Sequence, residues 1–207
     1  MSGKFIVFEG IDGSGKSTQL ALLQQYLIQR GYNVLTTREP GGTKISEEIR
    51  SLLLNPAYKD LDYRTEAFLY SSARAQLVYT KIKPALAAGK IVLCDRFVDS
   101  TLAYQGYGRS LPLEFLHSLN QLATGGLSPD KVLVFDLPLE QSFSRVKNRS
   151  AQDRLESEPS QFHRQVREGY LKIARQHGET HVVLNATLSI DELHQQVVTA
   201  VEALLNV

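Results

Sequence analysis

Phe5-Ile6-Val7-Phe8-Glu9-Gly10-Ile11-Asp12-Gly13-Ser14-Gly15-Lys16-Ser17-Thr18 reads as a strand, a glycine-rich turn and the start of a helix in direct succession. The run Phe5–Phe8 is apolar throughout, as in strands buried on both faces of a parallel sheet. Gly10 to Ser17 fits the pattern G-x4-G-K-[ST], whose glycines let backbone N–H groups wrap an anion without Cβ clashes. Leu20, Leu23 and Leu27 then share one helical face, and Gly31 is placed to end that helix as its C′ residue. A helix starting near Lys16 points its positive end at whatever the loop holds. The reading is a nucleoside triphosphate site: Gly10, Ile11, Asp12, Gly13, Ser14, Gly15, Lys16, Ser17 and Thr18 cradle the phosphates. Within it Lys16 supplies a point charge, and the Ser17 hydroxyl is a magnesium ligand.

Outward from this motif the chain alternates strand and helix. Val34–Thr37, Ile91–Cys94, Val132–Phe135 and His181–Leu184 repeat the short apolar pattern. Helical stripes lie at Phe162, Val166 and Ile173 and at Ile190, Leu193, Val197, Val201 and Leu204, the latter opened by a Ser189/Glu192 capping box. The Ala-rich stretch 65–88 is also helical in pattern, divided or kinked by Pro84. Five strands alternating with helices predict an α/β fold, a three-layer α/β/α sandwich on a five-stranded parallel sheet. With no Pro/Gly/Ser-rich linker, residues 1–207 read as one domain with a mobile segment at about 148–158. Ligands of such sheets bind beyond the strands' carboxyl ends. There the sequence puts Gly10, Arg38, Asp95 with Arg96, and Asp136.

Composition narrows the classes. The chain has 207 residues, 43% apolar and 22% charged, with 23 basic against 22 acidic residues. That is ordinary globular usage, neither disordered nor fibrous. A net charge of +1 argues against coating a nucleic acid polymer, yet leaves room for a local basic cluster around one phosphorylated ligand. No apolar run reaches the ~18 residues of a membrane span and no signal peptide is visible, so the expectation is a cytoplasmic protein without membrane contact. The single cysteine, Cys94, excludes an intrachain disulfide. It lies in an apolar run and reads as core, and the five histidines show no metal-ligand spacing.

A guanine-reading [NT]-K-x-D is missing, since Thr80-Lys81-Ile82 continues into Lys83, and D-x-x-G occurs only inside the phosphate loop. A switch GTPase is therefore disfavoured. Three motifs in order, Phe8 to Gln19, Arg38-Glu39-Pro40-Gly41-Gly42-Thr43, and Asp95-Arg96-Phe97 through Ser100-Thr101 to Ala103-Tyr104-Gln105-Gly106, resemble those of bacterial thymidylate kinases, P-loop nucleoside monophosphate kinases. The resemblance implies phosphorylation of dTMP to dTDP by MgATP, in dTTP biosynthesis, by a homodimer. The alternatives are a related kinase with another acceptor and a noncatalytic nucleotide-binding regulator.

The same resemblance assigns residues. Arg96 and Arg38 hold the acceptor phosphate, and Asp12 contacts the acceptor sugar and orients the reacting phosphate. Asp95 ends an apolar strand, as a magnesium-positioning acid does, directly or through water. Arg74 faces thymine O4 and so favours a keto over an amino group there. Tyr70 holds the stacking position usually filled by Phe, with Phe68 the alternative. Ser100, Thr101 and Gln105 are polar contacts around the base, and Tyr104 lies beneath the deoxyribose. Gly13 stands where some relatives carry an arginine, so Arg149 and Arg154 of the lid are the candidates for transition-state charge. Arg145 is the residue to pack near adenine.

Overall fold

The computed structural model describes residues 3–146 and 153–205. Five strands, β1 (Lys4–Glu9), β2 (Val34–Arg38), β3 (Ile91–Asp95), β4 (Lys131–Asp136) and β5 (His181–Asn185), form one parallel sheet in the order β2-β3-β1-β4-β5. Helices α1 (Lys16–Gln29) and α9 (Ile190–Leu205) pack on one face. On the other lie α4 (Lys83–Ala87) and α8 (Ser160–Gln176). The expected three layers are present. Phe5, Ile6, Phe8, Val92, Leu93 and Leu133 are wholly buried, which is why these strands read as continuous apolar runs.

Among the described residues the remaining helices are α2 (Lys44–Leu54), α3 (Tyr63–Leu77), α5 (Val98–Thr101), which continues into a π-helical segment Leu102–Gly108, α6 (Leu113–Thr124) and α7 (Leu139–Val146). Stretch 65–88 is not one kinked helix: a π-helical turn, Val78–Ile82, separates α3 from α4. Pro84 has no N–H to give Thr80, and the Lys83 N–H reaches five residues back to Val78 O. Gly31 does end α1: at φ 83° it lets Gly31 N–H and Tyr32 N–H bond Ile28 O and Leu27 O. Ser189 and Glu192 form the reciprocal capping bonds that open α9.

Topology fixes where a ligand fits. The chain leaves β1 toward β2 and leaves β4 toward β5, so a crevice opens beyond their carboxyl ends. Register puts Phe8 beside Asp95 and Asp95 beside Arg38, one row at that edge.

Candidate active site

The phosphate loop follows β1 and turns sharply at Gly10, Gly13 and Gly15, whose φ angles are 138°, 75° and 89°. A Cβ on Gly10 would lie 2.6 Å from Phe135 O, so glycine is required there for packing as well as conformation. Gly15 stands at the N-cap of α1 and offers no side-chain acceptor, leaving the first amides of α1 pointed at the crevice. Helix α7 braces the loop from behind: Ser142 Oγ donates to Asp12 O at 2.7 Å and Arg145 Nη1 to Gly13 O at 3.1 Å. Lys16 Nζ donates to Gly10 O and Ile11 O at 2.9 and 3.0 Å. Burial pushes its amine down to about 8, and the Arg96 charge adds to that. Ser17 Oγ donates to Asp95 Oδ2 at 2.9 Å, so the two expected magnesium-site residues meet.

Arg96 follows β3 with φ 71°, a strained conformation for a side-chain-bearing residue and one that recurs at functional sites. Its Nη2 donates to Asp12 Oδ1 at 2.7 Å and its Nη1 to Tyr170 Oη at 2.9 Å, while its guanidinium lies 5.1 Å from the Tyr104 ring centre. Burial alone would raise the Asp12 carboxyl, but the Arg96 and Lys16 charges outweigh it and hold it well below the usual carboxylate range. Beneath Arg96 sits Glu9, wholly buried, accepting from Phe97 N, Ser100 Oγ and Tyr170 Oη at 2.8, 2.7 and 3.0 Å. Burial, then the Asp99 charge, pushes the Glu9 carboxyl up.

Two cavities meet at this point. The larger, about 640 Å³, runs along the phosphate loop past Arg38 and Asp95 to Arg145, Ala186 and Leu188. The second is lined by Tyr70, Ser100, Thr101, Tyr104 and Gln105. Asp12, Glu39, Arg50 and Arg96 line both. Tyr70 is thus in the second cavity, whereas Phe68 is half exposed and packs edge-on against Phe115. Tyr104 Oη donates to Asp12 Oδ2 at 3.2 Å.

Three assigned arginines sit differently from the sequence expectation. Arg38 is exposed on the first cavity and bonded to Glu47, at 3.0 and 3.2 Å from its two oxygens. Arg74 is fully buried and lines neither cavity. Its Nε and Nη2 meet Glu39 Oε2, Nη1 meets Thr101 Oγ1 and Asn120 Oδ1, and Nη2 also meets Phe97 O. Four hydrogen bonds and an ion pair engage this guanidinium within the protein, so contact with a base requires exchanging one of them. Arg154 points away from the phosphate loop: its Nη2 bonds Glu66 Oε2 and its Nε bonds Leu53 O. In this geometry Arg154 lines neither cavity, and its Nε and Nη2 are taken by Leu53 O and Glu66. Arg149 and the rest of 148–152 in the expected mobile segment lie outside the described residues, whereas 153–158 form a hydrogen-bonded turn in which Arg154 and Leu155 are buried.

The sequence reading passed over Arg50 and Glu39. Arg50 is on α2, whose signals were present: Thr43 accepts from Ser46 N as N-cap and Glu47 lies in the first turn. Glu39 is buried, its Oε1 lacks a partner among the described residues, and burial pushes its carboxyl up to about 7 against the pull of Arg74.

The family model described as thymidylate kinase matches residues 8–197, which include every cavity residue named above. The chain belongs to the thymidylate kinase family. It is 50% identical over 208 residues to the thymidylate kinase of Pelotomaculum thermopropionicum, covering all of this chain (100%) and 96% of that one. To the thymidylate kinase of Exiguobacterium sibiricum it is 48% identical over 196 residues, 95% of this chain and 92% of that one. Among solved structures, thymidylate kinase from Ehrlichia chaffeensis superimposes with a TM-score of 0.80 at 35% identity, over 98% of this chain and 99% of that one.

Proposed function

We propose that this chain transfers the terminal phosphoryl group of ATP to dTMP, giving dTDP and ADP. The observation that carries it is the junction of two cavities on Asp12, Arg50 and Arg96. A donor triphosphate on the loop and an acceptor monophosphate in the second cavity then face each other across two guanidinium groups. Phosphoryl transfer asks mainly for such in-line placement and neutralised charge.

Lys16 stands over the donor's terminal phosphates, and the amides at the start of α1 take the remaining oxygens. Arg96 and Arg50 hold the acceptor phosphate, with Arg38 at the rim. Asp12, kept ionised by Arg96, accepts from the acceptor sugar. Ser17 and Asp95 would hold magnesium: an oxygen donor pair beside a triphosphate suits a small, hard cation that keeps several waters. When bound it neutralises phosphate charge. Tyr70 stacks on the base while Thr101 and Gln105 meet its polar edge. Arg74 acts by fixing Thr101 and the Phe97 carbonyl. Arg145, which lines the far end of the larger cavity with Ala186 and Leu188, packs on adenine.

ADP formation with dTMP, dUMP, dCMP, AMP and GMP tests this reading. The expected order is dTMP first, dUMP lower by about 10–200-fold for one lost methyl, and dCMP lower by about 10⁴-fold. Turnover with AMP alone would overturn the base assignment, and no turnover with any acceptor would favour a nucleotide-binding regulator.

The chain works in the cytoplasm as a homodimer on this reading. Among the described residues no helix is long and apolar enough to cross a membrane. Phe68 of α3, Tyr79 of the π turn and Leu122 of α6 expose 51%, 53% and 78% of their surface. These elements pack on one another and supply an apolar face for a second copy. Sedimentation should give twice the 23.1 kDa chain mass, and Leu122→Arg should lower it. A wild-type monomer at micromolar concentration would contradict the dimer.

A further inference from the structure

Glu66 lies in the first turn of α3 with no exposed surface, a costly place for a carboxylate. Its Oε1 accepts from Gln105 Nε2 at 2.7 Å and from Arg109 Nε at 3.5 Å. Its Oε2 accepts from Arg109 Nη2 at 3.4 Å and from Arg154 Nη2 at 2.5 Å. Both cations are themselves fixed. Arg109 sits 4.5 Å from the Tyr63 ring centre and 4.7 Å from that of Phe162, and reaches Glu158 at 2.7 Å. Arg154 is tied to Leu53 O through Nε and to Leu54 O through its backbone N–H.

A carboxylate between two guanidinium groups offers lone pairs and no proton. A primary amide beside it has one acceptable orientation. Its NH₂ must face the carboxylate, because the reverse sets carbonyl oxygen against carboxylate oxygen. Gln105 is pinned this way, and its Oε1 makes no hydrogen bond among the described residues. Gln105 also lines the second cavity, beside Tyr70 and Thr101.

We infer that Glu66 is a positioning residue for base choice: by pinning the Gln105 amide it presents a carbonyl acceptor to the base cavity. That acceptor suits a base with a ring N–H on its Watson–Crick edge, such as N3–H of thymine or uracil. It opposes cytosine, whose N3 is itself an acceptor. The inference rests on the reading that this cavity takes dTMP. It also gives Arg154 and Arg109 a task, holding the carboxylate that holds the amide.

The test is the ratio of kcat/KM for dTMP over dCMP in wild type, Glu66→Gln, Gln105→Met and the double variant. Each single change should lower the ratio by about 10–100-fold, since each removes the fixed acceptor. The double variant should fall no further than Gln105→Met. A purely structural Glu66 would leave the ratio unmoved or add its effect to that of Gln105→Met, and either result overturns the proposal. Glu66→Asp keeps a carboxylate between the arginines while drawing it back from Gln105, and serves if Glu66→Gln does not fold. It should lower the ratio by about 3–10-fold, and an unchanged ratio overturns the proposal equally. N3-methyl-dTMP provides a check on the wild-type chain. It should bind at least about 100-fold more weakly than dTMP, and the gap should close in Gln105→Met; a gap of the same size in both contradicts the Gln105 carbonyl contact. Failure of wild type to phosphorylate dTMP at all would strike the activity itself. Turnover of dTMP with an unmoved ratio would strike the role of Glu66 alone.

Discussion

Lys16→Met is expected to lower kcat by about 10³-fold or more while the chain stays folded. Among the described residues the amine is the single side-chain cation held inside the phosphate loop, on Gly10 O and Ile11 O, and charge stabilisation in a buried site of this kind is commonly the largest catalytic contribution. Methionine fills the stem's space and keeps its packing. Stability measured by denaturant should therefore change little compared with the loss in rate, and near-wild-type turnover would contradict the assignment. The same residue sets a pH dependence. Burial lowers the amine from 10.5 to about 8, and triphosphate oxygens beside Nζ must raise it again. Below about pH 8 the amine is charged before ATP arrives, so affinity is level. Above it, binding draws in a proton, and affinity falls by up to about tenfold per pH unit until the bound value is passed. Calorimetric Kd values from pH 7 to 9.5 should show that bend, and a level profile throughout would contradict it.

Arg96→Met should damage the acceptor side more than the donor side. Its guanidinium is already oriented by Asp12 and Tyr170 and stands where both cavities meet. A charge-assisted contact to a phosphate is worth about 1.5–3 kcal/mol, so the Kd for dTMP should rise by about 10–150-fold. The rate should fall further, because Asp12 loses the partner that holds its carboxyl low. Arg96→Lys should recover only part of this, since a point charge cannot reach Asp12 and a phosphate together as a planar fork does. Equal losses of dTMP and ATP affinity would count against the placement of Arg96 between the two ligands.

What the sequence disclosed, and what it withheld, follows from the kind of signal each residue leaves. The central strands β1, β3 and β4 are buried on both faces, so their apolar runs stand out without any long-range information, and the half-buried edge strands β2 and β5 keep enough β-branched and apolar residues to show the same pattern. The phosphate loop depends on glycines at fixed spacing and on the helix that follows, both local features. Ser17 and Asp95 could be paired in advance because each sits at a strand or helix end that topology brings to one edge. Arg74 and Arg154 were different. Nothing near them in sequence announces Glu39, Asn120 or Glu66, partners 35, 46 and 88 residues away, and those partners bury the guanidinium groups. A basic residue in a polar segment reads as solvent-facing until its distant carboxylate is known. Arg50 has a different cause: α2 is a plain amphipathic helix with a Thr43 cap, but no local motif says that its half-buried arginine faces the cavities. Glu66 left no sequence mark, because a buried carboxylate looks like any acid in a helix's first turn.

The stereochemical course at the transferred phosphorus tests the central claim most directly. ATP made chiral at its terminal phosphate with oxygen isotopes is turned over with dTMP, and the configuration of the product dTDP is read by phosphorus NMR. Two nucleotides meeting end to end between Lys16 and Arg96 predict one in-line displacement, and therefore inversion. Retention would require a phosphorylated side chain as an intermediate, and would contradict the direct meeting of the two phosphate chains.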